Sequence, residues 1–152
     1  MEIKLTDDGA FRLATAILEM TYYDYKQALR HLNKYQSAYD KISPIVLAYR
    51  KWLMLKTEVH NLEKKKIIDP EEKTRIEEFK ITPIPPKPTK KQQDTYNKYV
   101  HFGKIAKECE VFYLSEQYKR LTLGKGLDGA EVIKRIKADN SNHRCKINEA
   151  TL

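Results

Sequence analysis

The chain has 152 residues, a formal charge of +8, 33% charged residues and 41% hydrophobic ones. That is about one ordinary domain of sequence, too apolar for wholesale disorder. No apolar run approaches the roughly 18–20 residues of a membrane helix. The opening Met1-Glu2-Ile3-Lys4-Leu5 has no apolar stretch behind a basic start, so no secretory signal is expected. Cys109 and Cys145 make no disulfide framework, and the expected location is the cytoplasm, in a reduced environment.

The charge is unevenly placed. Residues 81–107 hold six lysines (Lys87, Lys90, Lys91, Lys98, Lys104, Lys107) against Asp94 alone. The rest of the chain is nearly balanced. A clustered positive segment raises the local anion concentration and can meet phosphates. Lysine supplies this as point charge, without the bidentate geometry of arginine. The plainer reading is a solvated linker followed by a Lys-rich helix face.

Ten Tyr and only five Gly favour helices over hairpins. Asp7 or Asp8 can cap a first helix. Ala14, Leu18, Thr21, Tyr25, Ala28, Leu32, Tyr35 and Tyr39 recur in alternating steps of four and three, which predicts one buried stripe, widened by Phe11 and Ile17. Ser43-Pro44 predicts a boundary or kink, because serine caps and proline suits a first helical turn. A second helix is expected from about Pro44 to Lys66, burying Ile45, Tyr49, Trp52, Leu55, Val59 and Leu62. Asp69-Pro70-Glu71-Glu72 repeats the start logic with acids at the positive helix end. It predicts a short helix to about Lys80, anchored by Ile76 and Phe79.

Ile81 to Thr89 holds four prolines in nine residues, which forbids helix and predicts an extended connector. Thr89 can cap a long helix to about Leu121, with Tyr96, Tyr99, Phe102, Ile105, Ala106, Cys109, Phe112 and Tyr113 inward. A Gly-rich turn follows. A last helix is expected from Asp128 to about Ala138, burying Val132, Ile133 and Ile136. The expected fold is all-α: a compact helical bundle of long antiparallel helices with a Pro-rich connector. It reads as one helical domain over 1–138 (connector 81–89) and a flexible polar tail over 139–152.

Signals for chemistry are weak. Gly124, Gly126 and Gly129 match a dinucleotide-loop spacing, but a helix precedes them where that fold needs a strand. They read as a helix-to-helix turn. His143 and Cys145 could supply two metal ligands, where a structural zinc site needs four. Cys109 reads as a small buried hydrophobe. Leu121 to Ala138, with Lys125, Lys134, Arg135 and Lys137, is the nearest thing to a helix-turn-helix, though its loop is long. No catalytic residue, metal or cofactor is expected.

Two blocks carry a resemblance. One runs from Ala16-Ile17-Leu18 through Asp24-Tyr25-Lys26-x-Ala28-Leu29. The other is Glu108-Cys109-Glu110-x-Phe112-Tyr113-x-Ser115-Glu116-x-Tyr118-x-x-Leu121-Thr122, followed by Asp128-Gly129. Together they resemble a family of small phage and prophage proteins of Gram-positive bacteria, for which no catalytic residues are defined. The chain departs from that pattern at Gln117-Tyr118, where an aromatic pair is usual, in the inserted Gly124-Lys125-Gly126, and in a longer middle. The resemblance implies a mobile-element setting in a bacterial host cell. The expected function is that of a non-enzymatic accessory protein bound to a macromolecular partner, inhibiting a host defence nucleoprotein in the manner of an anti-CRISPR. A basic DNA- or RNA-binding protein and a self-associating assembly protein are the alternatives. The expected contact residues are Lys87, Lys90, Lys91, Lys98, Lys104, Lys107, Lys134, Arg135 and Lys137. No membrane contact is expected.

Overall fold

The computed structural model describes residues 7–141. His143, Cys145 and most of the expected tail lie outside the described residues. Five helices account for the secondary structure: α1 (Asp7–Glu63), α2 (Pro70–Ile81), α3 (Lys90–Tyr113), α4 (Glu116–Leu121) and α5 (Gly129–Ser141). The fold is all-α, with no strand among the described residues. No helix of these residues is long and apolar enough to cross a membrane.

The described chain divides into two compact units. Unit 1 holds residues 7–36 and 97–141, and unit 2 holds residues 37–96. Both α1 and α3 supply residues to each.

The boundary expected at Ser43-Pro44 is absent, because α1 continues through Pro44. A proline inside a helix forfeits one backbone hydrogen bond and crowds the preceding turn, at about 3 kcal/mol. Ile42 and Val46 flank it and are both buried. Burial of such side chains contributes roughly 1.5–3 kcal/mol each, enough to offset the proline. The tertiary environment thus overrides the local stop signal.

In unit 2, Ala38, Ile42, Val46, Val59, Ile76 and Tyr96 are buried. Aromatic rings extend this packing. Tyr39 stacks on Tyr96 at 5.5 Å, and Trp52 stacks on Tyr49 at 5.8 Å and on Phe79 at 6.1 Å. Helix α2 starts as its sequence predicts: Asp69 accepts a hydrogen bond from the Glu72 N–H at 3.0 Å, and Pro70 occupies the first turn. It ends at Ile81, since the residue before Pro83 is driven out of helical geometry. Thr89 and Gln92 then form a reciprocal capping box. Each side chain accepts the other's backbone N–H, at 3.1 and 3.0 Å. Leu55, expected inward, is 39% exposed.

Unit 1 is built around Tyr25, Ala28, Ala106, Cys109, Tyr113, Tyr118 and Ile136, with Leu18, Leu29, Leu32, Phe102 and Phe112 packed against them. The two sequence blocks therefore meet in one core, as their apolar spacing predicts. Within this unit α1 and α3 run antiparallel: Tyr25 meets Glu110 and Tyr113, while His31, farther along α1, meets Phe102, nearer the start of α3. Phe11 is the exception to the predicted stripe. It lies 69% exposed in the first turns of α1.

The helix expected from Thr89 to Leu121 is interrupted at Leu114-Ser115. Ser115 Oγ donates to the Phe112 carbonyl at 2.6 Å and accepts the Tyr118 N–H at 3.4 Å. The same hydroxyl closes α3 and caps α4. A serine in a helical pattern was thus the stop signal. The turn after α4 closes with two backbone bonds, Gly124 N–H to Lys119 and Leu123 N–H to Arg120. Leu123 and Gly124 both take left-handed φ, 54° and 69°, as that helix ending requires. Gly129 opens α5 against the backbone of α3. A Cβ there would lie 1.7 Å from the Tyr113 carbonyl oxygen. Helix α5 runs on to Ser141, beyond the expected Ala138, so the polar tail does not begin at Asp139. Asn140 is buried, and its Nδ2 donates to the Lys26 carbonyl at 3.1 Å. That bond ties the last turn down.

Candidate macromolecule-binding surfaces

The nine basic residues expected to make contact are all exposed, but they do not form one stripe. Lys87 lies in the connector, and Lys90 and Lys91 are in the first turn of α3; these three belong to unit 2. Lys98, Lys104 and Lys107 belong to unit 1. Nine residues separate Lys98 from Lys107, which places them on opposite sides of α3 at about 100° per residue. On α5, Arg135 pairs with Glu131 at 3.5 Å and Lys137 with Glu110 at 3.0 Å. Lys134 is exposed beside them. The sequence reading grouped lysines by position along the chain. Helical rotation disperses them, and two of the three α5 cations are held by carboxylates.

Glu110 is the centre of a small polar network in unit 1. It accepts from Tyr25 Oη at 2.7 Å and from Lys137 Nζ at 3.0 Å. Burial pushes the Glu110 carboxyl up, but the hydrogen bonds from Tyr25 and Lys137 outweigh it and hold the group below its ordinary value. Burial, then the bond to Glu110, raises the Tyr25 hydroxyl far above the usual phenol range. Tyr25 therefore stays a neutral donor, and the network orients the α1–α3–α5 contact. His31, stacked on Phe102 at 4.0 Å, is held below its ordinary value by burial and by the charges of Lys98 and Lys34. Its Nε2 is buried with no hydrogen-bond partner among the described residues.

Unit 2 offers a different surface. Val59 and Ile76 are the buried contacts between the end of α1 and α2, and open grooves flank them. The larger, about 610 Å³, is lined by Leu53, Lys56, Thr57, His60, Phe79 and Lys80 among others. Leu53, in its lining, is 40% exposed, and Met54, on a neighbouring face of α1, is 74% exposed. Lys56 lies over the Trp52 ring at 5.2 Å, a cation–π contact. The result is an apolar floor whose rim carries Lys56, Lys80 and the carboxylate of Glu63, close in kind to a protein-binding patch. Trp52 and Phe79, expected to face inward, are only half-buried. The signal was there in Leu53-Met54-Leu55, three apolar residues in a row, which no single helix face can bury.

The Gly124-to-Gly129 segment is the turn it was read to be, each glycine answering a local packing or φ requirement. Burial pushes the Cys109 thiol up to about 11, so it is a poor nucleophile at neutral pH. No cluster of three or more His, Cys, Asp or Glu suited to a metal occurs among the described residues. Comparison of the chain with protein-family models, with curated proteins and with solved structures finds no match.

Proposed function

We propose that the chain is a non-enzymatic accessory protein of a phage or related mobile element that binds a host defence nucleoprotein and blocks it, as an anti-CRISPR does. The observation that carries this reading is the unit 2 surface. Leu53 and Phe79 in the groove, with Trp52 stacked on Phe79 and Met54 exposed on the neighbouring face of α1, offer apolar anchors, and Lys56, Lys80 and Glu63 stand at the rim. The exposed Lys87, Lys90 and Lys91 belong to the same unit. Apolar anchors supply contact energy. Lysines supply long-range attraction towards an anionic target such as a nucleoprotein. The dispersal of Lys98, Lys104 and Lys107 around α3 argues against a single phosphate-tracking stripe, which a plain nucleic-acid binder requires. The resemblance of the two sequence blocks to small phage proteins supports the mobile-element setting.

The test is protection in cells. Expressing the chain in a host whose defence system targets a phage should restore plating of that phage. Leu53→Asp with Met54→Asp, both at exposed positions, should abolish protection while leaving the helical circular dichroism unchanged. Full protection by the double variant would sink the reading. So would binding to free nucleic acid as tight as to the nucleoprotein.

A further inference from the structure

α1 carries a second apolar stripe that the core does not use. Leu13, Ala16, Met20 and Tyr23, closed by the polar Gln27, follow steps of three, four, three and four, and all five are exposed. Leu13 is 50%, Met20 63% and Tyr23 62% exposed. The stripe lies on the side of α1 away from Leu18, Tyr25 and Ala28, at about 100° per residue. Exposed methionine, leucine and tyrosine at coiled-coil spacing form a helix-docking seam.

We infer that this stripe binds a second copy of the chain, with the two α1 helices antiparallel. The flanking charges select this occupant. Glu19 and Lys26 stand one residue before Met20 and Gln27, on the same edge of the seam. When Met20 faces the second copy's Tyr23, antiparallel geometry sets Glu19 opposite the second copy's Lys26, and the twofold axis repeats the pair. Ala16 then faces Gln27, and the Leu13 side chain covers the apolar stem of Arg30. Parallel pairing sets Glu19 against Asp24 of the second copy, which is repulsive. Lys26 Nζ lies 3.9 Å from Asp139 and 5.7 Å from the centre of the Tyr22 ring, two weak surface contacts that a pair with Glu19 across the seam replaces. The seam is short, a few layers, so the dimer it forms is a weak one. This surface lies in unit 1, apart from the unit 2 residues named above, and the inference does not depend on the proposed function.

Sedimentation velocity of the full chain over a concentration series tests it without any host partner. The expected result is a concentration-dependent monomer–dimer equilibrium. Met20→Glu with Tyr23→Glu should leave only monomer, with an unchanged thermal melt. Glu19→Lys alone and Lys26→Glu alone should each weaken dimerisation by about tenfold, and the two together should restore it. Mixing Met20→Cys with Tyr23→Cys should give a crossed disulfide faster than either variant gives with itself. A chain that stays monomeric at several hundred micromolar overturns the proposal. So does a dimer that survives Met20→Glu with Tyr23→Glu, or a double charge swap that fails to restore pairing.

Discussion

Unit 1 and unit 2 are made of the same long helices but hold together differently. In unit 1, α1, α3, α4 and α5 converge on one cluster of buried residues, and Tyr25, Tyr113 and Tyr118 fill it from three of those helices. In unit 2 the buried residues are strung along helix pairs, and aromatic rings stack at the margin. A convergent core is intolerant of change at its centre. A strung-out one leaves grooves, and grooves are where partners dock. The difference concentrates buried packing in the two sequence blocks of unit 1 and leaves the open grooves in the middle segment.

The largest effect that can test this contrast is at Tyr113. It is 4% exposed and touches Tyr25 and Tyr118 edge-on at 6.0 and 5.4 Å. Tyr113→Ala should cost about 3–5 kcal/mol, read by urea unfolding. Phe79→Ala in unit 2, a half-buried ring beside a groove, should cost under half as much. Equal losses at the two positions would erase the distinction between the units. Gly129→Ala comes next. Its Cβ cannot share space with the Tyr113 carbonyl, so α5 must shift, at about 3 kcal/mol. Gly103→Ala on α3, where a Cβ meets nothing within 4 Å, serves as the contrasting substitution and should not destabilise, since alanine is the better helix former.

Pro44→Ala sharpens the contrast from the other side. Restoring a helix-forming residue with a backbone donor in the middle of α1 should stabilise the chain by about 1–3 kcal/mol. The gain should appear as slower hydrogen exchange in the residues around Ile42 and Val46. No change in exchange there would mean that the surrounding packing already absorbs the proline fully.

Pro44 also shows why some of the fold was legible in the sequence and some was not. The stripe through Tyr25 and Ala28, the Asp69 and Thr89 caps and the Pro-rich connector are local patterns, and each appears where its residues stand. Pro44 and Ser115 carry similar start signals, yet one helix runs through and the other breaks. What decides is nonlocal. Ile42 and Val46 pack on both sides of Pro44, whereas a break at Ser115 lets Tyr118 turn back into the Tyr25 core. The contact lysines were misgrouped for a related reason: nearness in sequence is not nearness on a helix surface. The grooves beside Phe79 depend on how far α2 stands from α1, which no spacing in the sequence records.

The smallest effect is pH dependence, and between about pH 7 and 5 it should be confined to unit 1, since the Asp69 cap of α2, held below its ordinary value by the Glu72 N–H, responds only at lower pH. His31 has a folded pKa below its ordinary 6.5, first through burial and then through Lys98 and Lys34. The unfolded chain therefore takes up a proton as pH falls through 6.5 while the folded chain does not. Stability is complete above that value and declines as pH drops towards the folded pKa. Glu110, also held below its ordinary value, adds a second decline at lower pH, where the carboxylate protonates and its bonds from Tyr25 and Lys137 weaken. Between about pH 7 and 5 the His31 effect acts alone of the two. His31→Phe keeps a ring between Tyr35 and Phe102 and removes the titration. It should flatten the stability profile over that window without changing the slope at lower pH. Over that window, hydrogen exchange read region by region should show the acid response in residues around Tyr25 and Phe102, with α2 unaffected. A slope that persists in His31→Phe, or one shared equally by α2, would show that the two units do not respond separately, and the contrast drawn from their packing would fail at the level of energetics.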